Sequence, residues 1–386
     1  MPLLLLVLCL GLTVTTPALL QSFSYRFDSG FMLLALCLPL LCYALPDEVG
    51  RRYRIVFGTL ACFVSLGCYQ AGAGAFIAMA FVEMVFINGT RQETRARLVE
   101  RAETFAHAGV LYVAMLLCIP LGIADYGADH AQILRPWTEE GIWTIRQNLQ
   151  MFRHLLNIGF HAMPLPALLG LGLLLFHGFL ESHKTGRGLR FIIAYIGIIF
   201  GAILPQMPLA VTVNEQRTVC SYAVLAIFYG ILASRMLCTW RKAAVSVLVL
   251  VLLGGFSLSY TYGNILHHQT AQQAAIARMI TDDLGRIDPN VEKKNVTILG
   301  TAPISAELRL ERFQVRLIKE NLLIYLDNDY NRGFELMWHA SARPIHRKVA
   351  DESDRIVSEE TTPVFRRDIY AIYENGDTYV VKFLQP

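Results

Sequence analysis

The chain has 386 residues, of which 54% are hydrophobic and 17% are charged. Soluble globular proteins carry roughly 25% charged residues, so the composition excludes an ordinary soluble domain and predicts an integral membrane protein. The net charge is only +3, and residues 264–386 hold 16 basic and 18 acidic side chains. This balance argues against nucleic acid as a partner.

Nine hydrophobic runs predict a polytopic α-helical membrane protein with about nine transmembrane helices. Several runs are shorter than the roughly 20 residues of an upright membrane helix, which predicts tilted or re-entrant pieces. The first run lacks the positive flank of a signal peptide, so we interpret it as a retained helix. Residues 70–74 between runs three and four predict a tight glycine-rich hairpin. The runs cover residues 3–20, 31–46, 55–69, 71–88, 107–124, 160–180, 190–212, 219–236 and 243–262.

Basic residues sort by loop and predict the topology. Thirteen lie in the loops that follow even-numbered runs, and five lie in the alternate loops. The positive-inside rule places the richer loops in the cytoplasm. Residues 24–29, the loop 128–159, the turn 214–217 and the tail are then expected to face the periplasm of a bacterial inner membrane.

Prolines predict irregular helices in two places. Pro164 and Pro166 open one run, and Pro205 and Pro208 interrupt another near its outer end. A proline frees a backbone carbonyl, which must find another partner. The second pair is therefore interpreted either as a packing kink or as the edge of a polar cavity near Gln206.

The outer loop 128–159 ends in a predicted amphipathic helix that begins at Glu139. Trp137 and Trp143 beside it are interpreted either as interface anchors or as platforms for a sugar ring. The expected apolar side of the helix consists of Ile142, Ile145, Leu149, Phe152 and Leu156.

The tail changes character after residue 263. Residues 276–284 continue a helical pattern, residues 295–300 are typical of a strand, and Asn375 with Gly376 is typical of a hairpin turn between two strands. We therefore predict two domains, a transmembrane domain over 1–263 and a small C-terminal α/β extracytoplasmic domain over 264–386.

The polar segment 24–29 carries Arg26 and Asp28 between two uncharged runs. An arginine at a membrane face can bind a phosphate, and a carboxylate beside it can take a proton from an attacking hydroxyl. The alternative is an ion pair that only holds a turn. Glu83 and Asp125 in the runs are expected to be hydrogen-bonded or to lie at helix ends. Asp327 and Asp329 are expected in a polar loop.

Two ordered motifs resemble a known family. Residues 16–29 read Thr-Pro-Ala-Leu-Leu-Gln-Ser-Phe-Ser-Tyr-Arg-Phe-Asp-Ser, and residues 66–71 read Leu-Gly-Cys-Tyr-Gln-Ala. Both are similar to segments of bacterial O-antigen glucosyltransferases of the serotype-converting type. Arg217 before a late span and the strand near residue 295 also fit that family.

The resemblance implies a GT-C-like membrane enzyme that transfers a glucosyl group at the periplasmic face. Its donor would be a polyprenyl-phosphate sugar, undecaprenyl-phosphate-linked, and its acceptor a lipid-linked O-antigen polysaccharide. By analogy, Arg26 and Arg217 would bind phosphate, Asp28 would act as the base or orient Arg26, and Tyr25 and Gln70 would contact sugar or phosphate. No cofactor is implied, and no ligand cluster indicates a divalent metal.

The chain departs from the family pattern at its start. Members typically begin with further helices and an acidic outer loop, so the resemblance also predicts a shortened chain in which Asp28 is half of a site. A flippase for lipid-linked saccharides and a non-catalytic membrane subunit are the alternatives. Transporters usually show two related halves, and this sequence shows none.

Overall fold

The computed structural model describes residues 3–24, 28–46, 48–87, 89–118, 137–207, 209, 215–311, 317–318, 324, 326–327, 336–337, 346–348 and 350–384. Residue contacts divide the chain into two units, Met1–Tyr260 and Thr261–Pro386. The predicted site residues Tyr25 and Arg26, the carboxylate Asp125 and residues 128–136 of the loop 128–159 lie outside the described residues.

The first unit is built from helices, and each of the nine predicted runs overlaps at least one of them. Four helical segments in the described ranges are long and apolar enough to cross a membrane, or five if a bent pair counts as one span. The total of nine spans stays a prediction. The helices are α1 (Leu3–Val14), α2 (Pro17–Ser24), α3 (Ser29–Leu41), α4 (Arg51–Cys68), α5 (Gln70–Phe86), α6 (Arg91–Cys118), α7 (Glu139–His161), α8 (Leu165–Lys184), α9 (Gly188–Ile203), α10 (Val224–Arg235) and α11 (Cys238–Ile287), with 3-10 helices at Leu204–Gln206 and Gln216–Ala223.

The first hydrophobic run is two helices and not one. α1 and α2 meet at an angle of 59°, because Pro17 begins α2 and a proline cannot continue the hydrogen-bond ladder of the preceding helix. The Thr15 hydroxyl donates to the Gly11 carbonyl at 2.9 Å and satisfies one acceptor at the break.

The predicted glycine hairpin between runs three and four is wrong. The break is the single extended residue Tyr69, and α5 already begins at Gln70. Gly72 and Gly74 serve packing instead, since a Cβ on Gly74 would lie 2.2 Å from the Ala202 carbonyl oxygen of α9 and one on Gly72 would meet the backbone of Ala35. Small residues allow such close helix approach in membranes.

The prolines act as expected, and the contacts of Gln206 bear on the two interpretations of the second pair. Pro164 caps α8, with Pro166 in its first turn. Pro205 lies in the 3-10 helix that ends α9, and Pro208 is outside the described residues. Gln206 is only 4% exposed, and its amide donates to the Thr218 carbonyl, which favours the packing interpretation.

The predicted helix from Glu139 is confirmed as α7. Of its expected apolar side, Phe152 is buried within the protein, whereas Ile142 is 61% exposed and Leu149 is 39% exposed. Asn148 packs inward, where its amide donates to the carbonyls of Met207 and Leu209 at 3.3 and 3.1 Å.

The second unit contains a five-stranded sheet with the order β2-β1-β5-β4-β3. The strand expected near residue 295 is confirmed as β1, which runs parallel to β2 and β5. The expected hairpin is also confirmed, since β4 and β5 pair antiparallel up to Asn375 and Thr378 and Gly376 has a φ of 62°. The strands are β1 (Asn295–Leu299), β2 (His346–Arg347), β3 (Phe365–Arg366), β4 (Tyr370–Asn375) and β5 (Thr378–Phe383).

Two short helices accompany this sheet, α12 (Ala306–Glu311) and α13 (Glu352–Glu360). Asp351 and Asp354 form a capping box at the start of α13. A hydrogen bond from Lys348 lowers the pKa of Asp351. The cap therefore stabilises the fold above the ordinary aspartate pKa of about 4, and this contribution is lost as the pH falls through the lowered value.

A buried ion-pair cluster joins the helix ends that carry the richer basic loops. Arg54 of α4 forms two hydrogen bonds of 2.9 Å with Glu100 of α6, and Arg101 binds Glu83 of α5 at 3.0 and 3.2 Å. Arg101 also lies over the Tyr43 ring, 4.4 Å from its centroid. Glu83 is thus paired, as the sequence predicts.

We expect Glu100→Gln to lower the free energy of unfolding by about 3–5 kcal/mol, because it leaves the Arg54 guanidinium buried without its carboxylate. Glu103→Gln on the same helix is the control. Glu103 pairs with Arg51, but both side chains are at least 40% exposed, so the expected loss is below about 1 kcal/mol. Unfolding of the purified protein in detergent measures both, and equal losses would contradict a structural role of the buried pair.

Candidate functional site

Three breaks in the helices lie at one end of the first unit. They are the end of α2, the start of the 3-10 helix Gln216–Ala223, and the start of α5 after Tyr69. Ser221 of the 3-10 helix donates to the carbonyls of Ala71 and Gly72 in α5, and Gln216 donates to the Leu155 carbonyl of α7 at 2.7 Å. These segments carry or adjoin the residues that the sequence analysis selected.

Arg217 lies at the centre of a closed group of three side chains. Its Nε is 2.6 Å from a carboxylate oxygen of Glu215, and its backbone N–H donates to the side-chain oxygen of Gln21 at 2.9 Å. The Gln21 amide in turn donates to the same Glu215 oxygen at 3.2 Å. We call Gln21, Glu215 and Arg217 the Arg217 cluster.

The Arg217 cluster is buried unevenly. Gln21 is only 2% exposed, while the side chains of Arg217 and Glu215 are 14% and 26% exposed. The arrangement therefore holds a partly exposed guanidinium against a carboxylate. The planar fork of N–H donors in a guanidinium suits anions such as carboxylate and phosphate.

The cluster ties Arg217 to α2, the helix that precedes the segment 24–29 in the sequence. Gln21 belongs to the last turn of α2, and α2 ends at Ser24. Asp28 follows this segment as an exposed residue at the N-terminus of α3, where its side chain makes no capping hydrogen bond. The structure thus places Arg217 beside the helix that leads into residues 25–28.

The described side-chain hydrogen bond of Gln70 is to a residue outside the Arg217 cluster. Its amide donates to the Tyr112 hydroxyl of α6 at 2.8 Å, so the described contact is between helices α5 and α6. The following residue, Ala71, is bonded to Ser221 of the 3-10 helix. Gln70 is therefore linked to the Arg217 segment through the backbone of α5.

The sequence analysis missed Gln21 and Glu215. Both carried a signal, since Gln21 is an amide near the end of a hydrophobic run and Glu215 lies two residues before Arg217 in the same outer turn. Their contact joins residues 194 positions apart, so no local pattern connects them.

The described residues contain no group of three or more His, Cys, Asp or Glu side chains that could hold a metal ion. Asp327, expected in a polar loop, accepts a hydrogen bond from Thr301 at 3.1 Å, while Asn328 and Asp329 lie outside the described residues. The chemistry available around Arg217 is thus that of a cation, a carboxylate and amides.

Comparison with known proteins gives one match. A family model described as Glucosyl transferase GtrII matches residues 3–266. The matched range includes the Arg217 cluster, Asp28 and Gln70, and it ends before the sheet of the second unit. No curated protein and no solved structure matches the chain.

We expect Gln21→Ala to lower the free energy of unfolding by about 1–3 kcal/mol, because it leaves buried partners in the Arg217 cluster without a hydrogen bond. The neighbouring Ser22→Ala is the matched control. Ser22 is fully buried, and its hydroxyl has no partner among the described residues, so its removal is expected to be neutral or stabilising. Chemical unfolding in detergent checks this difference, and a larger loss in Ser22→Ala would refute the cluster's structural role.

Proposed function

The chain belongs to the GtrII glucosyl transferase family and is a glycosyltransferase, and from this premise we propose its donor, acceptor and site. The donor is an undecaprenyl-phosphate-linked glucose, and the acceptor is a lipid-linked O-antigen or another surface polysaccharide. The reaction takes place at the periplasmic face of the bacterial inner membrane. The observation that carries the proposal is the Arg217 cluster, a cation held against α2.

The side of the membrane is supported by how the helix ends meet. The loops with few basic residues contribute the Arg217 cluster, α7 and the start of α5, which contact one another. The ends with many basic residues meet separately, through Arg54, Glu100 and Arg101. Charge sorting assigns the second group to the cytoplasm, so the first group belongs to the periplasm. The tail over 264–386 is then a periplasmic α/β domain.

Arg217 fits the leaving group of this reaction. When the bond between glucose C1 and the phosphate oxygen breaks, the electron pair stays on that oxygen and polyprenyl phosphate leaves as an anion. A cation already held in position stabilises this developing charge without reorganising. Glu215 and Gln21 hold Arg217 in place before the donor binds.

Asp28 is the proposed base. As the acceptor hydroxyl oxygen forms its bond to glucose C1, its proton passes to the Asp28 carboxylate. Asp28 is exposed and makes no capping hydrogen bond, so it can meet an acceptor that arrives from solvent. Arg26 and Tyr25, in the same segment, would contact the phosphate and the sugar, and Gln70 would contribute from α5.

We expect Arg217→Ala to lower kcat for glucosyl transfer about 10²-fold or more, since it removes a donor from the charge that develops on the leaving phosphate. Arg217→Lys keeps the charge without the planar fork and should retain part of the activity. Membranes supplied with labelled undecaprenyl-phosphate glucose and a lipid-linked O-antigen acceptor measure the rate. The control is Arg153→Ala, which removes an exposed arginine on α7. A similar loss of kcat in that variant would contradict a specific role of Arg217.

We expect Asp28→Asn to lower kcat by about 10²–10⁴-fold, because an amide cannot accept the hydroxyl proton. Glu140→Gln changes another exposed carboxylate, at the start of α7, and should transfer glucose as the wild type does. The same membrane assay compares the two. If Asp28→Asn keeps full activity, Asp28 is not the base. If the wild type transfers glucose from none of the polyprenyl-phosphate donors supplied, the proposed donor is wrong.

A further inference from the structure

A largely apolar cavity of about 280 Å³ lies within the first unit. Residues from α1, α2, α7, α8, α9, α10, α11 and the 3-10 helix Gln216–Ala223 line it. It reaches the break between α1 and α2, where Thr15, Thr16 and Pro17 form part of its wall. Eight helical segments thus contribute to the wall of a space that their side chains leave unfilled.

Most polar groups in the wall are already bonded within the protein. The Thr15 hydroxyl donates to Gly11, the Gln216 amide donates to Leu155, and Tyr195 and Tyr229 face each other at 3.4 Å between their hydroxyl oxygens. The Thr15 and Gln216 donors are therefore engaged, one of the two tyrosine hydroxyls donates to the other, and the remaining surface is mostly hydrocarbon. This chemistry suits an apolar chain and does not suit a sugar, which needs several polar partners.

Tyr222 is the exception. Its side chain lines the cavity, the residue is only 5% exposed, and its hydroxyl has no hydrogen-bond partner among the described residues. A buried hydroxyl without a partner is unfavourable. An oxygen atom of a bound molecule would remove this penalty, so the cavity is better matched to an occupant with one oxygen-bearing end than to a plain hydrocarbon.

The cavity adjoins the Arg217 cluster. Gln216, which lines the wall, is the residue next to Arg217, and Pro17 and Ala18 in the wall belong to α2, the helix that supplies Gln21 to the cluster. A molecule with a phosphate at one end and an apolar chain at the other would therefore find a cation and a hydrocarbon space on the same two segments.

The size of the cavity limits how much of such a chain it holds. An apolar protein cavity of about 150 Å³ accepts benzene, a molecule of six carbons. By that measure, about 280 Å³ holds roughly ten carbons, or about two isoprene units. The rest of a long polyprenyl chain would extend into the membrane.

We propose that this cavity binds the isoprene units nearest the phosphate of the polyprenyl-phosphate donor, with the phosphate at Arg217. This inference rests on the proposed function, because it takes the donor from there and adds where the donor's chain lies. It assigns the selection of a branched, unsaturated lipid chain to the cavity and the recognition of its charge to the Arg217 cluster.

The test fills the cavity from Gly159. A Cβ there meets nothing closer than Pro17, 3.9 Å away, so Gly159→Leu places a side chain in the cavity without a backbone clash. Gly109→Leu on α6 is the matched control, since a Cβ there meets nothing within 4 Å and Gly109 is not in the cavity wall. The probe is labelled undecaprenyl phosphate, added to the purified full chain in nanodiscs.

We expect Gly159→Leu to weaken binding about tenfold or more, because leucine displaces several methylene-sized groups of the chain and each contributes a few-fold to affinity. Gly109→Leu should bind as the wild type does. In the wild type, undecaprenyl phosphate with a photoreactive group on its second isoprene unit should crosslink to residues of the cavity wall, among them those within 155–175. This second measurement needs no variant, so it stands even if Gly159→Leu misfolds.

Unchanged binding by Gly159→Leu, or crosslinks outside the cavity wall, would overturn the inference and leave the proposed function intact. Equal displacement of the probe by an ordinary phospholipid would also overturn it, because the cavity would then hold any acyl chain. If the wild type binds the probe in the cavity but transfers no glucose from the donor, the cavity assignment stands and the proposed function fails.

Discussion

Every backbone carbonyl freed by a helix break in a membrane protein needs a donor from inside the protein, because hydrocarbon supplies none. In the first unit, amide and hydroxyl side chains at the breaks donate to backbone carbonyls of neighbouring segments. Gln206 donates to Thr218, Gln216 donates to Leu155 of α7, and Ser221 donates to Ala71 of α5. These hydrogen bonds join the 3-10 helix Gln216–Ala223 to the helices around it. Irregular backbone is tolerated in membrane proteins where it is buried or lines a cavity, and this 3-10 helix is buried and lines the apolar cavity.

The helix ends that carry the richer basic loops are held together by ion pairs. Arg54, Glu100 and Arg101 are nearly buried, and removing such charges from water is unfavourable unless each is paired. Arg54 pairs with Glu100 and Arg101 pairs with Glu83, and these two ion pairs fix α4, α5 and α6 relative to one another. Rigid packing at this end keeps the start of α5 in place at the other end, where Gly72 and Gly74 approach α3 and α9 without room for a Cβ.

What the sequence predicted depends on how local each interaction is. The hairpin at Asn375 and the proline start of α8 follow from adjacent residues, and both are present. The glycines at 72 and 74 were misread as a turn, because the same residues also allow close helix contact and only the neighbouring helices decide between the two. Arg217 was selected from its side of the membrane and its family, but its bond to Gln21 joins residues 196 positions apart. Contacts over such distances depend on packing, which no pattern in one segment reveals.

The charge of the Arg217 cluster bears on the role of Arg26. Glu215 and Arg217 together are neutral, so the proposed polyprenyl phosphate would add an uncompensated negative charge to this pair, and more negative charge would develop as glucose departs. An anion at a membrane face is unfavourable without further cations. Gln21 fixes the end of α2 on Arg217, and Arg26 is two residues beyond the last residue of that helix. The neutrality of the cluster therefore gives a physical reason for a second arginine at this point in the sequence, beside the carboxylate proposed to receive the proton.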